Sequence, residues 1–212
     1  MLADKLIRIL VVEDHHVVRK SLVTLLETVA GFEVVGEAGD GVEAINQFHL
    51  CQPDVTLIDL RLPGISGAEV VRSIRSEAKH ARFIVLTTYD GEDDVYRALR
   101  SGAQSYLLKG ITRDELIAAI HLVNEGRSHV PPEIFAKLAR RLEWEEFTPR
   151  ESEVLEHIVQ GRSNKQIAQS LGVSEATIKA HINSLLSKLG VSDRTQAAMT
   201  AIQRGLVTLD FS

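Results

Sequence analysis

Val55-Thr56-Leu57-Ile58-Asp59-Leu60-Arg61-Leu62-Pro63-Gly64 is the stretch that decides the fold. An apolar, partly β-branched run ends on a carboxylate, and Pro63 and Gly64 then punctuate a loop. This pattern predicts a buried strand with Asp59 at its tip. In an open parallel α/β sheet, ligand chemistry sits outside the carboxyl ends of the strands, so Asp59 stands where such a sheet does its work. Alone, the residue reads more simply as a strand-end Asp capping the next turn. Its company changes that reading.

Three other strand-like runs end on polar groups. Ile7–Val12 runs into Glu13-Asp14, Arg82–Leu86 into Thr87-Thr88, and Ser105–Leu108 into Lys109. If the four strands are parallel neighbours, two further acids, a hydroxyl and an ammonium gather around Asp59. Crowded carboxylates repel one another unless a cation joins them. A hard divalent ion, Mg2+ above all, relieves that repulsion and neutralises an arriving phosphoryl group. Thr87 can donate a hydrogen bond to a phosphoryl oxygen, and Lys109 can pair with another as a point charge. The set describes a phosphoryl-accepting carboxylate with its metal and clamps.

The residues Glu13-Asp14, Asp59, Thr87 and Lys109, with Tyr106 three positions before the lysine, resemble the receiver of a two-component response regulator of the NarL/FixJ type. The resemblance implies that Asp59 takes phosphate from a sensor histidine kinase's phosphohistidine. It also implies that Asp14, Asp59 and the backbone carbonyl of Arg61 ligate Mg2+, that Glu13 assists, and that Thr87 and Tyr106 form the switch. Arg61 and Tyr89 fall where the family tunes phosphate lifetime. A haloacid-dehalogenase phosphatase would need a second acid two residues after Asp59, where this chain has Arg61. A nucleotide-binding module would want glycine-rich donors after the first strand, where this chain has Glu13-Asp14.

Along the chain, Ile7–Val12, Glu33–Ala38, Val55–Ile58, Arg82–Leu86 and Ser105–Leu108 alternate with helical stripes such as Leu22, Leu25, Leu26 and Val29. Five βα units predict a parallel sheet covered by helices on both faces. The family resemblance makes this N-terminal half, residues 1–124, a flavodoxin-like, doubly wound five-stranded (βα)5 domain. Pro131-Pro132 start a short helix over Glu133–Glu143 within a linker, residues 125–147. Trp144 in that linker is expected to pack between linker and domain rather than to contact a ligand.

Thr148-Pro149-Arg150-Glu151 is a strong helix start, with a cap, a proline at the first helical position and an acid three residues after the cap. Val154, Leu155 and Ile158 form its inner face. Ser163 caps a short helix, Gly172-Val173 turns, and Ser174 caps a longer helix over Glu175–Leu189. Two capped helices across a tight glycine turn read as helix-turn-helix. A last helix from Asp193 to Arg204 completes an all-α, four-helix domain, residues 148–212, that resembles the LuxR type.

On Glu175–Leu189 the apolar residues Ile178, Ile182, Leu185, Leu186 and Leu189 share one face, and Ala176, Lys179, Ala180, Asn183 and Ser187 share the other. Small side chains on that second stripe let the helix approach the floor of a major groove. By resemblance, Lys179, Ala180 and Asn183 occupy base-contacting positions, while Arg150, Lys165 and Arg194 are candidate phosphate contacts. Asn183 stands where lysine is common in the family, which predicts a changed base preference.

The formal net charge of −5 conceals a division: residues 1–124 carry −5, whereas 162–204 carry +4. The basic segment fits double-stranded DNA as partner. The lone Cys51 forms no internal disulfide. No apolar run approaches the roughly 18 residues of a membrane span, and Met1–Ile7 lacks an export-signal layout, so a cytoplasmic protein is expected. His15-His16 beside three carboxylates reads as poorly arranged for zinc. The expectation is a phosphorylation-controlled transcriptional regulator, homodimeric on activation. It is not an enzyme beyond supporting its own phosphotransfer and dephosphorylation. The rival is a regulator whose receiver only dimerises or masks, without phosphorylation.

Overall fold

Almost uninterrupted apolar runs form five strands in the computed structural model, which describes residues 6–142 and 144–207. They are β1 (Ile7–Val12), β2 (Phe32–Ala38), β3 (Val55–Ile58), β4 (Phe83–Thr87) and β5 (Ser105–Leu108). All pair in parallel, in the order β2-β1-β3-β4-β5. Every residue of β3 and β4 is buried, as a strand covered on both faces requires. β4 lies one residue later than the apolar run suggested, because Thr87 still pairs with Leu108 in the ladder.

Five helices alternate with these strands: α1 (His16–Glu27), α2 (Gly41–Cys51), α3 (Gly67–Glu77), α4 (Glu92–Ser101) and α5 (Arg113–Asn124). Asp40 caps α2 through its side chain. Reciprocal capping boxes, Ser66 with Glu69 and Thr112 with Glu115, start α3 and α5. One sheet face, with Ile9, Val11, Leu57, Ile84, Leu86 and Leu107, packs against Leu26 of α1 and Leu116, Ile120 and Val123 of α5. The chain leaves β1 for β2 on one side and reaches β3 on the other, so the tips of β1 and β3 lie at a topological switch point.

The remaining helices are α6 (Pro132–Leu142), α7 (Pro149–Val159), α8 (Asn164–Leu171), α9 (Glu175–Leu189) and α10 (Arg194–Gln203). Thr148 and Glu151 form a capping box on α7, with Pro149 at its first position. Gly172, at φ +66, takes the left-handed conformation that lets α8 turn into α9 without strain. Val154, Leu155, Ile158, Ile167, Ile178, Ile182, Leu185 and Leu189 close a core with Ala197 and Ala201 of α10.

The chain divides into two units, Met1–Asp90 with Val95–Ala136 and Gly91–Asp94 with Lys137–Ser212. The division passes through α6, inside the expected linker 125–147. Within the second unit Trp144 lies between two guanidinium groups, 5.0 Å from Arg141 and 4.5 Å from Arg204. That is the packing expected of it between linker and domain. Glu143, at the end of the predicted linker helix, and 208–212, at the end of the predicted C-terminal domain, lie outside the described residues, as do 1–5. Among the described residues, no helix is long and apolar enough to cross a membrane.

Candidate functional site

The sheet ladders continue one step past the strands and set the site in register. Asp59 N–H donates to the Val12 carbonyl at 2.9 Å, Lys109 N–H to the Thr87 carbonyl at 2.9 Å, and Glu13 N–H to the Ala38 carbonyl at 3.0 Å. The residues that follow β1, β3 and β5 and the last residue of β4 therefore stand at one end of the sheet, as their positions at strand ends predicted.

Lys109 joins two buried acids. Its Nζ lies 2.5 Å from Asp59 Oδ2 and 2.6 Å from Glu13 Oε2, with the Asp59 side chain 3% exposed and that of Glu13 2% exposed. Burial pulls the lysine pKa down, but the hydrogen bonds to Asp59 and Glu13 outweigh it and hold the group above its ordinary value. Lys109 therefore remains a cation throughout the neutral range. The other Asp59 oxygen, Oδ1, accepts from the Arg61 backbone N–H at 3.4 Å.

Around this pair, Thr87 is fully buried and its Oγ1 accepts from Tyr89 N–H at 3.4 Å. Tyr106 is also fully buried, its hydroxyl donating to the Tyr89 carbonyl at 2.8 Å. The aromatic candidate for a switch is thus already turned inward. The Arg61 guanidinium lies 4.5 Å over the Tyr89 ring, so the loops after β3 and β4 meet beside Asp59.

Asp14 is half-buried, and its Oδ1 is screened from solvent without a well-formed hydrogen bond; His15 Nδ1 sits 2.7 Å away as an ion-pair contact. Two carboxylates, Glu13 and Asp59, thus share one lysine ammonium, and Asp14 stands next to Glu13 with its ligand atom within 4.8 Å of that acid's. The excess of acids over the one lysine and their oxygen donors suit a hard divalent cation such as Mg2+. The charge of Asp14, next to His15, raises that ring's pKa, and the close contacts of the ring with Glu13 and Asp14 reinforce the shift.

Two positioning residues escaped the sequence reading. Arg19 of α1 donates through its Nη1 to the Glu13 carbonyl and lies 3.5 Å from the Asp14 carbonyl, fastening the acidic loop from behind. Gly67, the first residue of α3, donates its N–H to the Leu60 carbonyl at 2.9 Å. A Cβ there would fall far inside contact distance of the Asp59 carbonyl oxygen. Arg19 stands five residues after Asp14 on a helix, a signal that spacing alone could have raised. Nothing local marks Gly67.

The second unit exposes the predicted stripe of α9: Ala176, Lys179, Ala180, Asn183 and Ser187 all face outward, while Ile178, Ile182, Leu185 and Leu189 are buried and Leu186 is half-buried. The candidate phosphate contacts differ in their surroundings. Lys165 is exposed near the start of α8. Arg150 donates to the Leu171 carbonyl at 2.6 Å and to Glu153 Oε2 at 2.7 Å, tying α7 to the helix-turn-helix turn. Arg194 donates to Asn164 Oδ1 at 3.0 Å and to the Arg162 carbonyl, joining α10 to the start of α8. Burial lowers the Arg194 pKa from its ordinary value.

A strand-tip acid paired to a lysine across a parallel sheet, followed by a helix-turn-helix unit, defines the class as a receiver joined to a regulatory domain. Residues 9–121 match the family model for the response regulator receiver domain, and 145–201 match the model for bacterial regulatory proteins of the luxR family. The chain belongs to the response regulators, with a LuxR-type DNA-binding domain.

The response regulator protein VraR of Staphylococcus epidermidis is 36% identical over 206 residues, covering 95% of this chain and 99% of its own. VraR of Staphylococcus aureus shows the same identity and coverage. Among solved structures, the response regulator ChrA of a heme-sensing two-component system is similar at 36% identity and a TM-score of 0.59, covering 95% of this chain and 99% of its own. RcsB of Salmonella typhimurium is similar at 25% identity and a TM-score of 0.68, covering 91% and 98%.

Proposed function

We propose that this protein is a phosphorylation-controlled transcriptional regulator in which Asp59 accepts a phosphoryl group from a sensor histidine kinase. The observation that carries the reading is the Lys109 bridge, 2.5 Å to Asp59 and 2.6 Å to Glu13, at the shared tip of β1, β3 and β5. In the transfer an Asp59 carboxylate oxygen attacks phosphorus, a P–O bond forms, and the P–N bond to the kinase histidine breaks. Lys109 supplies positive charge to the acceptor, and the Thr87 hydroxyl stands at the adjacent tip to donate to a phosphoryl oxygen. Glu13, Asp14, Asp59 and the Arg61 carbonyl would hold Mg2+, which supplies charge neutralisation for the incoming group. The receiver supports only its own phosphotransfer and dephosphorylation, with no separate substrate.

Phosphorylation adds charge and acceptor oxygens beside Thr87 and Tyr106, and so shifts the receiver's conformation. The change releases or dimerises the helix-turn-helix domain and controls promoter binding in the cytoplasm. To move occupancy from 1:99 to 99:1 the phosphoryl group must favour the active state by about 5.5 kcal/mol.

The test uses acetyl phosphate with Mg2+, the wild-type chain and Asp59→Asn, and follows mass and operator affinity together. One phosphoryl group on the wild type, none on the variant and tighter DNA binding only in the former are expected. Equal DNA affinity in both, whatever the mass, assigns the receiver a masking or dimerising role without phosphorylation.

For DNA, Lys179, Ala180 and Asn183 of α9 are the proposed base readers, and Lys165 a phosphate contact. Asn forms a bidentate contact with adenine worth about 1–3 kcal/mol. Asn183→Ala is therefore expected to lose discrimination at one base pair of each half-site, measured across single-base operator variants. A uniform loss at every position would instead make Asn183 a backbone contact.

A further inference from the structure

The two adjacent histidines do not act as a pair. His15 is the residue before α1, and its ring turns back over the acids, Nδ1 lying 2.7 Å from Asp14 Oδ1 and 3.2 Å from Glu13 Oε1. His16 opens the helix, and its ring meets a cation, Nδ1 lying 3.3 Å from Arg19 Nη2. The His15 ring makes no capping bond to α1, so the helix start does not explain its position. Its side chain is 71% exposed and sits over the solvent side of the acidic loop. Glu13 is divided: Oε2 is held by Lys109, while Oε1 accepts from the His15 backbone N–H at 3.2 Å and lies at the same distance from the ring. Glu13, Asp14 and His15 can thus each offer one ligand atom, all within 4.8 Å of one another.

Resting on the pocket reading above, we propose that His15 is a ligand of the divalent cation in this pocket, adding a nitrogen donor that turns an all-oxygen Mg2+ site into a mixed site favouring first-row transition ions. Mg2+ seeks oxygen ligands and keeps its waters, and gains little from imidazole. Co2+, Ni2+ and Zn2+ bind imidazole nitrogen strongly. The ring needs no rearrangement of the backbone to serve, since Nδ1 already faces both acids. His15 and His16 are neighbours in sequence, but His15 precedes α1 and His16 is its first residue. It is the helix start between them that sends only one towards the carboxylates.

The test is calorimetric titration of the full chain with Co2+ and, separately, Mg2+, for the wild type, His15→Ala, His16→Ala and Asp59→Asn. His15→Ala is expected to weaken Co2+ by about tenfold or more while changing Mg2+ by less than about twofold, and His16→Ala to leave both ions unchanged. Unchanged Co2+ affinity in His15→Ala overturns the proposal, and so does an equal loss for both ions, which would mean only that the loop had been disturbed. Asp59→Asn separates the two levels: if the wild type binds Mg2+ no better than this variant, the pocket reading itself fails, independently of His15.

Discussion

Gly67→Ala is expected to abolish phosphoryl acceptance and to destabilise the receiver by about 3 kcal/mol. The added methyl would overlap the Asp59 carbonyl oxygen and come within 3.0 Å of its carbonyl carbon and 3.1 Å of Leu60 Cα. All three are backbone atoms, so no flexible side chain can swing aside. The start of α3 must then move off the loop after β3, losing the Gly67 N–H bond to Leu60 and shifting Asp59 from Lys109. Gly110→Ala is the matching control, since a Cβ there meets nothing within 4 Å, and its effect is expected within about 0.5 kcal/mol. Urea unfolding and the mass gained from acetyl phosphate measure both variants. A Gly67→Ala protein that unfolds and phosphorylates like the wild type would contradict the close approach of α3 to Asp59.

Glu151→Gln is expected to cost about 2–3 kcal/mol in the second unit and to weaken operator binding evenly across base sequences. Glu151 began as a capping acid in the sequence, yet its carboxylate also accepts from Ser184 Oγ at 2.6 Å and Lys188 Nζ at 2.8 Å, both on α9. It fastens α7 to α9 beside Asn183. Burial raises the Glu151 pKa, but Lys188, Ser184 and Thr148 together outweigh it and bring the group down to about 2. Because the folded value lies below the ordinary 4.5, the stabilisation is complete above that pH and disappears as pH falls from 4.5 through about 2. The shift corresponds to about 3 kcal/mol. Calorimetry of the full chain between pH 6 and pH 2 should show the wild type losing this increment while Glu151→Gln changes less. Parallel pH dependence in the two proteins would remove the role assigned to Glu151. The even loss on DNA distinguishes this residue from Asn183, whose loss should be confined to one base pair.

Most of the receiver pocket was legible because a parallel sheet brings strand ends together whatever lies between them. The pair Glu13-Asp14 and the single residues Asp59, Thr87 and Lys109 each follow an apolar run, and the β2-β1-β3-β4-β5 order needs only short steps between the tips. The helix-turn-helix was legible for another reason: Thr148, Ser163, Ser174 and Asp193 cap their helices through bonds three residues long, and those signals are local. Arg150 and Arg194 show where such reading ends. Resemblance makes them candidate phosphate contacts, and each guanidinium also donates to a carbonyl of its own chain, a partner 21 or 32 residues away that no local signal names.

By itself, then, the sequence determined the alternation of strands and helices, the acids and lysine at the strand tips, and the outward stripe of α9. Burial periodicity and capping are written within a few residues of where they act. Tertiary structure alone decided the direction of side chains: His15 towards the carboxylates and His16 onto Arg19, Tyr106 inward, Glu151 onto α9, and the hydrogen in place of a Cβ at Gly67 against Asp59. Each depends on which distant backbone comes within about 3 Å, a distance fixed only when the helices pack.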